Sequence, residues 1–199
     1  MRRVMGFVLL SIATALAADK EHARFAPGPA SSFASHQTLD KITIAAVPYL
    51  TDAETATAFG KLNPNKYGVL PVLVILENET GKALRLDLTA EFVTADNKHV
   101  SALSVEEVQH LRGVTKPPKI GAAPLPIPFP TRAKGGPLNV WEIEGWAFVA
   151  RLLPVGERVY GFFYFEAEQE PGSKLYLTGI RDASSGQDYF YYEVPLLRQ

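Results

Sequence analysis

Two neighbouring stretches constrain the fold more than any other feature of the chain. Residues 69–76 form a continuous apolar run with Pro71 near its start. A strand that is apolar on both faces lies deep in a sheet. Residues 83–93 alternate instead. Leu84, Leu86, Leu88, Ala90 and Phe92 point one way, and Arg85, Asp87, Thr89 and Glu91 the other. This is the pattern of a half-buried strand with one wet face. Residues 78–82 supply a turn between the two runs, and the pair reads as a β-hairpin.

Further strands are expected over residues 42–47, 99–103, 159–166, 174–181 and 189–194. Along 159–166, Phe163 and Phe165 share one face, and Tyr160, Phe162 and Tyr164 the other. About seven strands separated by turn signals predict a mainly β fold, an antiparallel β-sandwich. Two or three short helices interrupt it. Asp52 is placed to cap a helix over 53–59, with Gly60 as the stop. Ser104 and Glu107 have the spacing of a capping box, which predicts a helix from there to about Arg112. Asn139 is placed to cap a third helix whose face is Trp141, Gly145, Phe148, Val149 and Leu152, with Pro154 ending it. Between the last two, residues 116–137 hold Pro124, Pro126, Pro128 and Pro130 alternating with apolar residues. Proline lacks the N–H donor and fixes φ, so this stretch is an extended loop or polyproline II. Leu125, Ile127 and Phe129 favour a loop lying across an apolar sheet face over a solvated peptide ligand.

The N-terminus reads as an address. Arg2 and Arg3 precede an apolar core over 4–13, and Ala15-Leu16-Ala17 is a small-x-small cleavage site. The apolar run is about a dozen residues, short of the roughly 20 that a spanning helix needs. Residues 1–17 are therefore expected to be a cleaved signal peptide, cut before Ala18 or Asp19. The mature chain would have no transmembrane segment and would be periplasmic or secreted. Residues 18–41, with Pro27-Gly28-Pro29 and Ala30-Ser31-Ser32, are expected to be a flexible tether. Residues 42–199 are expected to be one sandwich domain carrying the helix and Pro-rich insertion at about 104–153.

Composition narrows the function. The formal net charge is −1, and loss of Arg2 and Arg3 leaves 18 basic against 21 acidic residues, a charge of −3. Neither nucleic acid nor an anionic membrane surface is an expected partner for such a chain. Zero cysteines exclude disulfides, thiol catalysis and cysteine-ligated zinc. The histidines His22, His36, His99 and His110 show no i, i+2 or i, i+4 pair, so no metal site and no cofactor are expected. There is no Gly-x-Ser-x-Gly elbow, P-loop or dinucleotide fingerprint. Ser185-Gly186 with Asp182 and Asp188 is the nearest approach to a reactive cluster, and its composition is that of a hairpin loop. The pairs Glu106/Glu107 and Glu142/Glu144 sit at helix starts, where acids suit the dipole. Asn78-Glu79-Thr80 matches an N-glycosylation sequon but occupies the turn, where Asn and Thr are expected anyway. No catalytic residue is therefore assigned.

Aromatics are the one skewed feature. Ten of the 21 fall between Tyr160 and Tyr192. Tyr is favoured where a surface meets a partner, so Tyr160, Tyr164, Tyr189 and Tyr191 are the candidate binding face. Ordinary strand composition selects the same residues, with the tyrosines lining cross-strand pairs or covered by helices.

Two stretches carry a resemblance. One runs from Phe59-Gly60-Lys61 through Tyr67-Gly68-Val69-Leu70-Pro71-Val72 to Asn78. The other is Leu153-Pro154-Val155-Gly156-Glu157 followed by Gly161-Phe162-Phe163-Tyr164-Phe165. Together they resemble uncharacterised exported bacterial proteins with an immunoglobulin-like β-sandwich, over about half of the mature chain. The resemblance implies an exported sandwich and carries no catalytic residue. The Cys…Trp…Cys mark of antibody domains is absent. Three functions are carried forward. The first is an exported, non-catalytic sandwich offering a binding or structural surface to an envelope protein. The second is an envelope hydrolase assembled from distant groups such as Ser185, His99 or His110 and an acid. The third is a carrier of a small apolar ligand held between the sheet and the inserted helix.

Overall fold

The computed structural model describes residues 25–111 and 136–198. The expected signal peptide, the first part of the expected tether, His22 and most of the Pro-rich stretch lie outside the described residues. In chain order the elements are β1 (His36–Leu39), β2 (Ile42–Pro48), α1 (Asp52–Phe59), β3 (Leu70–Asn78), β4 (Leu84–Val93) and β5 (His99–Ser101). They continue with α2 (Val105–His110), α3 (Trp141–Gly145), β6 (Leu152–Leu153), β7 (Arg158–Phe165), β8 (Lys174–Asp182) and β9 (Tyr191–Pro195).

The strands form two antiparallel sheets. The first is ordered β1-β2-β3-β7. The second is ordered β5-β4-β8-β9, with β6 also paired to β4. The chain changes sheet between β3 and β4, returns between β6 and β7, and changes again between β7 and β8. That is the Greek-key connectivity of an immunoglobulin-like sandwich. Among the described residues there are nine strands, of which β1 and β6 are short additions to the seven expected. Among the described residues no helix is long and apolar enough to cross a membrane.

Burial explains the sequence pattern strand by strand. The main core lies between the sheets. Val72, Val74, Leu76 and Phe165 from one sheet meet Leu84, Leu86, Phe92, Leu177 and Val194 from the other. A second core covers the outer face of the first sheet. Leu73, Ile75, Phe162 and Tyr164 pack there beneath Ala30, Phe59 of α1, Val108 of α2 and Ile143 of α3. The first sheet is thus buried on both faces, which is why β3 reads as an unbroken apolar run. The outer face of the second sheet stays wet, which is why β4 alternates.

Four expectations are corrected. β3 and β4 do not form a hairpin, because β3 is flanked by β2 and β7 and lies in the other sheet from β4. The expected tether is structured from Phe25 onward. Ala30 is fully buried, β1 pairs with β2, and Phe25 packs against Tyr49, Trp146, Tyr160 and Phe162. The cap of α1 is Thr51 rather than Asp52. Its hydroxyl accepts from the Glu54 N–H, and the Glu54 carboxylate takes the Thr51 N–H in return. The third helix is only five residues long and has no side-chain cap. Beyond it the chain is drawn out to pair with strands, so Phe148 and Leu152 leave the expected helical face.

Candidate functional site

The two lateral seams of the sandwich differ. On one side β1 lies against β9. On the other, two segments cross from sheet to sheet. The first follows β5. The Ala102 N–H donates to the Ala90 carbonyl on β4 (3.0 Å), and the Leu103 N–H donates to the Tyr164 carbonyl on β7 (2.8 Å). The second follows α3. The Phe148 N–H donates to the Phe162 carbonyl (3.0 Å), and the Phe162 N–H donates to the Trp146 carbonyl (2.8 Å). Farther on, the Arg151 carbonyl accepts from the Leu86 N–H of β4 (2.9 Å), and Leu152 and Leu153 pair with Arg85 and Leu84.

Between these crossings a cleft of about 470 Å³ opens into the side of the sandwich. Its inner wall is apolar. Phe148 and Phe163 stack with centroids 5.3 Å apart and planes 13° apart, and Leu88, Ala102 and Tyr164 are among the other residues that line it. The mouth carries Thr89, Ser101, Ser104, Glu107 and Arg151.

Two glycines shape the cleft. Gly161 of β7 lets the second crossing close on the strand, since a Cβ there would lie 2.5 Å from Phe148 Cα. Gly179 of β8 has φ +87°, and a Cβ there would lie 2.0 Å from the Asp87 carbonyl oxygen. The β4–β8 register shifts at this point, between Leu86 and Thr89. Glycine inside a strand marks just such bulges and close backbone approaches.

The polar groups of the mouth suit binding better than acid–base work. Ser104 and Glu107 are committed to each other, as the Ser104 N–H and hydroxyl both donate to the Glu107 carboxylate. Those two bonds hold the Glu107 carboxyl below its usual range. Among the described residues no histidine lines the cleft.

The four sequence-predicted tyrosines are not brought onto one face. Tyr160 and Tyr164 belong to the outer side of the first sheet. The Tyr164 side chain is buried and its hydroxyl donates to the Ile143 carbonyl (2.8 Å), and that burial pushes its pKa up. The Tyr160 hydroxyl donates to the Phe25 carbonyl (3.1 Å). Tyr189 and Tyr191 belong to the second sheet. Tyr189 is half-buried against the main core, and Tyr191 is 52% exposed, stacked on Tyr176 at 5.4 Å. Sequence reasoning missed Phe148, Phe163, Leu88 and Arg151. The available signal was a glycine inside each of two strand patterns, Gly161 and Gly179.

Nor do Ser185, His99 and His110 converge. His99 pairs with Val93, which pairs with Lys174 at the start of β8, and Ser185 follows the far end of that strand. Nine residues of strand separate those ends, about 27 Å. The His99 ring meets the Glu91 carboxylate (2.7 Å), and the His110 ring donates to the Glu106 carbonyl (2.7 Å) on α2. Among the described residues no three His, Asp or Glu side chains gather as a metal site.

The Asp182 cluster is structural. Oδ1 accepts from the Ser184 N–H (2.8 Å), the Ser184 hydroxyl (2.6 Å) and the Ser185 N–H (3.0 Å), and Oδ2 meets the Lys82 ammonium at 2.8 Å. Lys82 first, then the Ser184 and Ser185 donors, hold the Asp182 carboxyl well below the usual range. A carboxylate depressed in the fold contributes stability that is complete above its unfolded pKa of about 4 and is lost as pH falls through its folded value. Asp182→Asn is therefore expected to melt several degrees below the wild type at neutral pH. Below about pH 4 that gap should narrow. Melting curves across this range check it, and a gap that stays constant down to the acid limit would refute the assignment.

Compared with known proteins, the chain matches no protein-family model and no curated sequence.

Proposed function

We propose that this protein is an exported β-sandwich of the periplasm or cell envelope that acts by binding, not by catalysis, and that the lateral cleft is its binding site. The observation carrying this reading is the make-up of the cleft. An apolar aromatic wall with a few polar groups at the mouth is what small-ligand sites have in common, and its size falls within the roughly 300–1,000 Å³ they span. The apolar-carrier alternative merges with this reading once its site moves from beneath the helices, where the second core is packed, to the seam between the sheets. Export rests on residues 1–17 and on the resemblance to exported sandwich proteins.

Both halves are testable on the full chain expressed with its N-terminus. Cell fractionation with N-terminal sequencing is expected to find the product outside the cytoplasm and beginning at Ala18 or Asp19. Retention of residues 1–17 on the mature protein would remove the export half. Turnover of any substrate in a hydrolase panel, abolished by a single-residue variant, would remove the non-catalytic half.

A further inference from the structure

We infer that the lateral cleft accepts a ligand that joins one compact aromatic or branched apolar group to a carboxylate, with Arg151 as the carboxylate's partner. This deepens the binding reading above and rests on it.

The first observation concerns the edge of β4. The Leu86 N–H and the Ala90 carbonyl both point to the cleft side, where they meet Arg151 and Ala102. Leu88 lies midway between them, in the stretch where the β4–β8 register shifts, and it lines the cleft. β6 reaches only Leu84 and Arg85, and β5 begins its pairing at Glu91. Among the described residues no strand covers Leu88 on that side. The opening runs from Leu86 to Ala90, about 13 Å at the strand repeat. A partner strand cannot run along it, because Arg151 and Ala102 sit on β4 at either end. The occupant must enter end-on, with one group reaching the Phe148–Phe163 stack and its polar end left at the mouth.

The second observation is charge. Arg85, Arg158 and Arg181 each pair with a carboxylate, those of Asp87, Glu77 and Asp188, and Arg198 donates to Gln169. Arg151, at the mouth, makes no such bond among the described residues. Residues 112–135 contain Arg112, Lys116, Lys119, Arg132 and Lys134 and no Asp or Glu. The one acid at the mouth, Glu107, is already held by Ser104. A guanidinium beside an apolar wall recognises a carboxylate attached to an apolar body.

A free small acid and the C-terminal residue of a polypeptide share this chemistry, and the test separates them. The full chain is titrated with N-acetyl-phenylalanine, its neutral amide and a pentapeptide ending in phenylalanine. Binding is read from backbone amide resonances of Leu88, Ser101, Ala102 and Phe148. The acid is expected to bind about tenfold more tightly than the amide, as a charge-assisted contact implies. Arg151→Gln should remove that difference while leaving the melting temperature unchanged, since Arg151 is exposed. Ala102→Leu should fill the cleft and weaken all three probes; if it does not fold, the acid-against-amide comparison in Arg151→Gln decides alone. Tighter binding of the pentapeptide than of the small acid assigns the source to a chain end, and the reverse assigns it to a free acid. Equal binding of acid and amide by the wild type would overturn the carboxylate inference and leave the cleft reading standing. No shift at these four residues with any probe at millimolar concentration would overturn both.

Discussion

Replacing Asn78 with aspartate is expected to unfold the domain or to cost about 3–5 kcal/mol of stability. The substitution is nearly isosteric, so no cavity enters the account. Asn78 is fully buried where the chain passes from the first sheet to the second. Its Nδ2 donates to the carbonyls of Lys82 (2.7 Å), Leu153 (3.1 Å) and Pro154 (3.0 Å). Its Oδ1 accepts from the Thr80 N–H (3.0 Å) and hydroxyl (2.7 Å). One side chain thus ties the β3–β4 passage to the start of the β6–β7 turn. Aspartate would set an anion against three carbonyl oxygens. Asn78→Ala removes the same bonds without adding a charge, so it should be the milder change. Lowering the pH should partly rescue the aspartate variant, because a protonated carboxyl regains one donor. Urea denaturation of the three proteins at neutral and acid pH measures this. If aspartate proved no worse than alanine, the carbonyl cluster would not be as described. The same burial means that Nδ2 offers no attachment point for a glycan once the protein has folded, although Asn78-Glu79-Thr80 satisfies the sequon.

Gly161→Ala is the second large effect, about 2–4 kcal/mol. The added methyl would lie 2.5 Å from Phe148 Cα and 2.8 Å from its nitrogen. These are backbone atoms and cannot rotate aside. The second crossing must therefore lift off β7 and give up the Phe148 N–H to Phe162 and Phe162 N–H to Trp146 bonds. Phe148 would leave its stack on Phe163, so the apolar wall of the cleft would be lost with the stability. The expected result is a lower urea midpoint together with loss of probe binding in the cleft. A variant as stable as the wild type would show that the crossing does not approach β7 so closely.

Strand positions were legible in the sequence wherever burial alone set the pattern. The unbroken run of β3, the alternation of β4 and the two-faced aromatics of β7 all follow from which faces are covered. The fate of residues 78–82 was not legible, because a turn that closes a hairpin and one that carries the chain to another sheet use the same residues. What separates them is Asn78 bonding to Leu153 and Pro154, some 75 positions away. The third helix failed for a similar reason. Trp141, Gly145, Phe148 and Leu152 have helical spacing, but pairing with β7 and β4 draws the chain straight after Gly145. The cleft was hidden because its walls come from Leu88, Ala102, Phe148 and Phe163, which meet only after both crossings are in place. The tyrosines were visible by number, but not the fact that two sheets divide them.

The seam between β1 and β9 bears on how the protein folds. There the Leu197 N–H donates to the Ser35 hydroxyl across 162 positions, and the Tyr192 hydroxyl reaches the Leu39 carbonyl. Contacts this distant in sequence demand a large loop-closure entropy before they return anything, and topologies dominated by them assemble slowly. β1 lacks its neighbour across the seam until the residues of β9 have been synthesised.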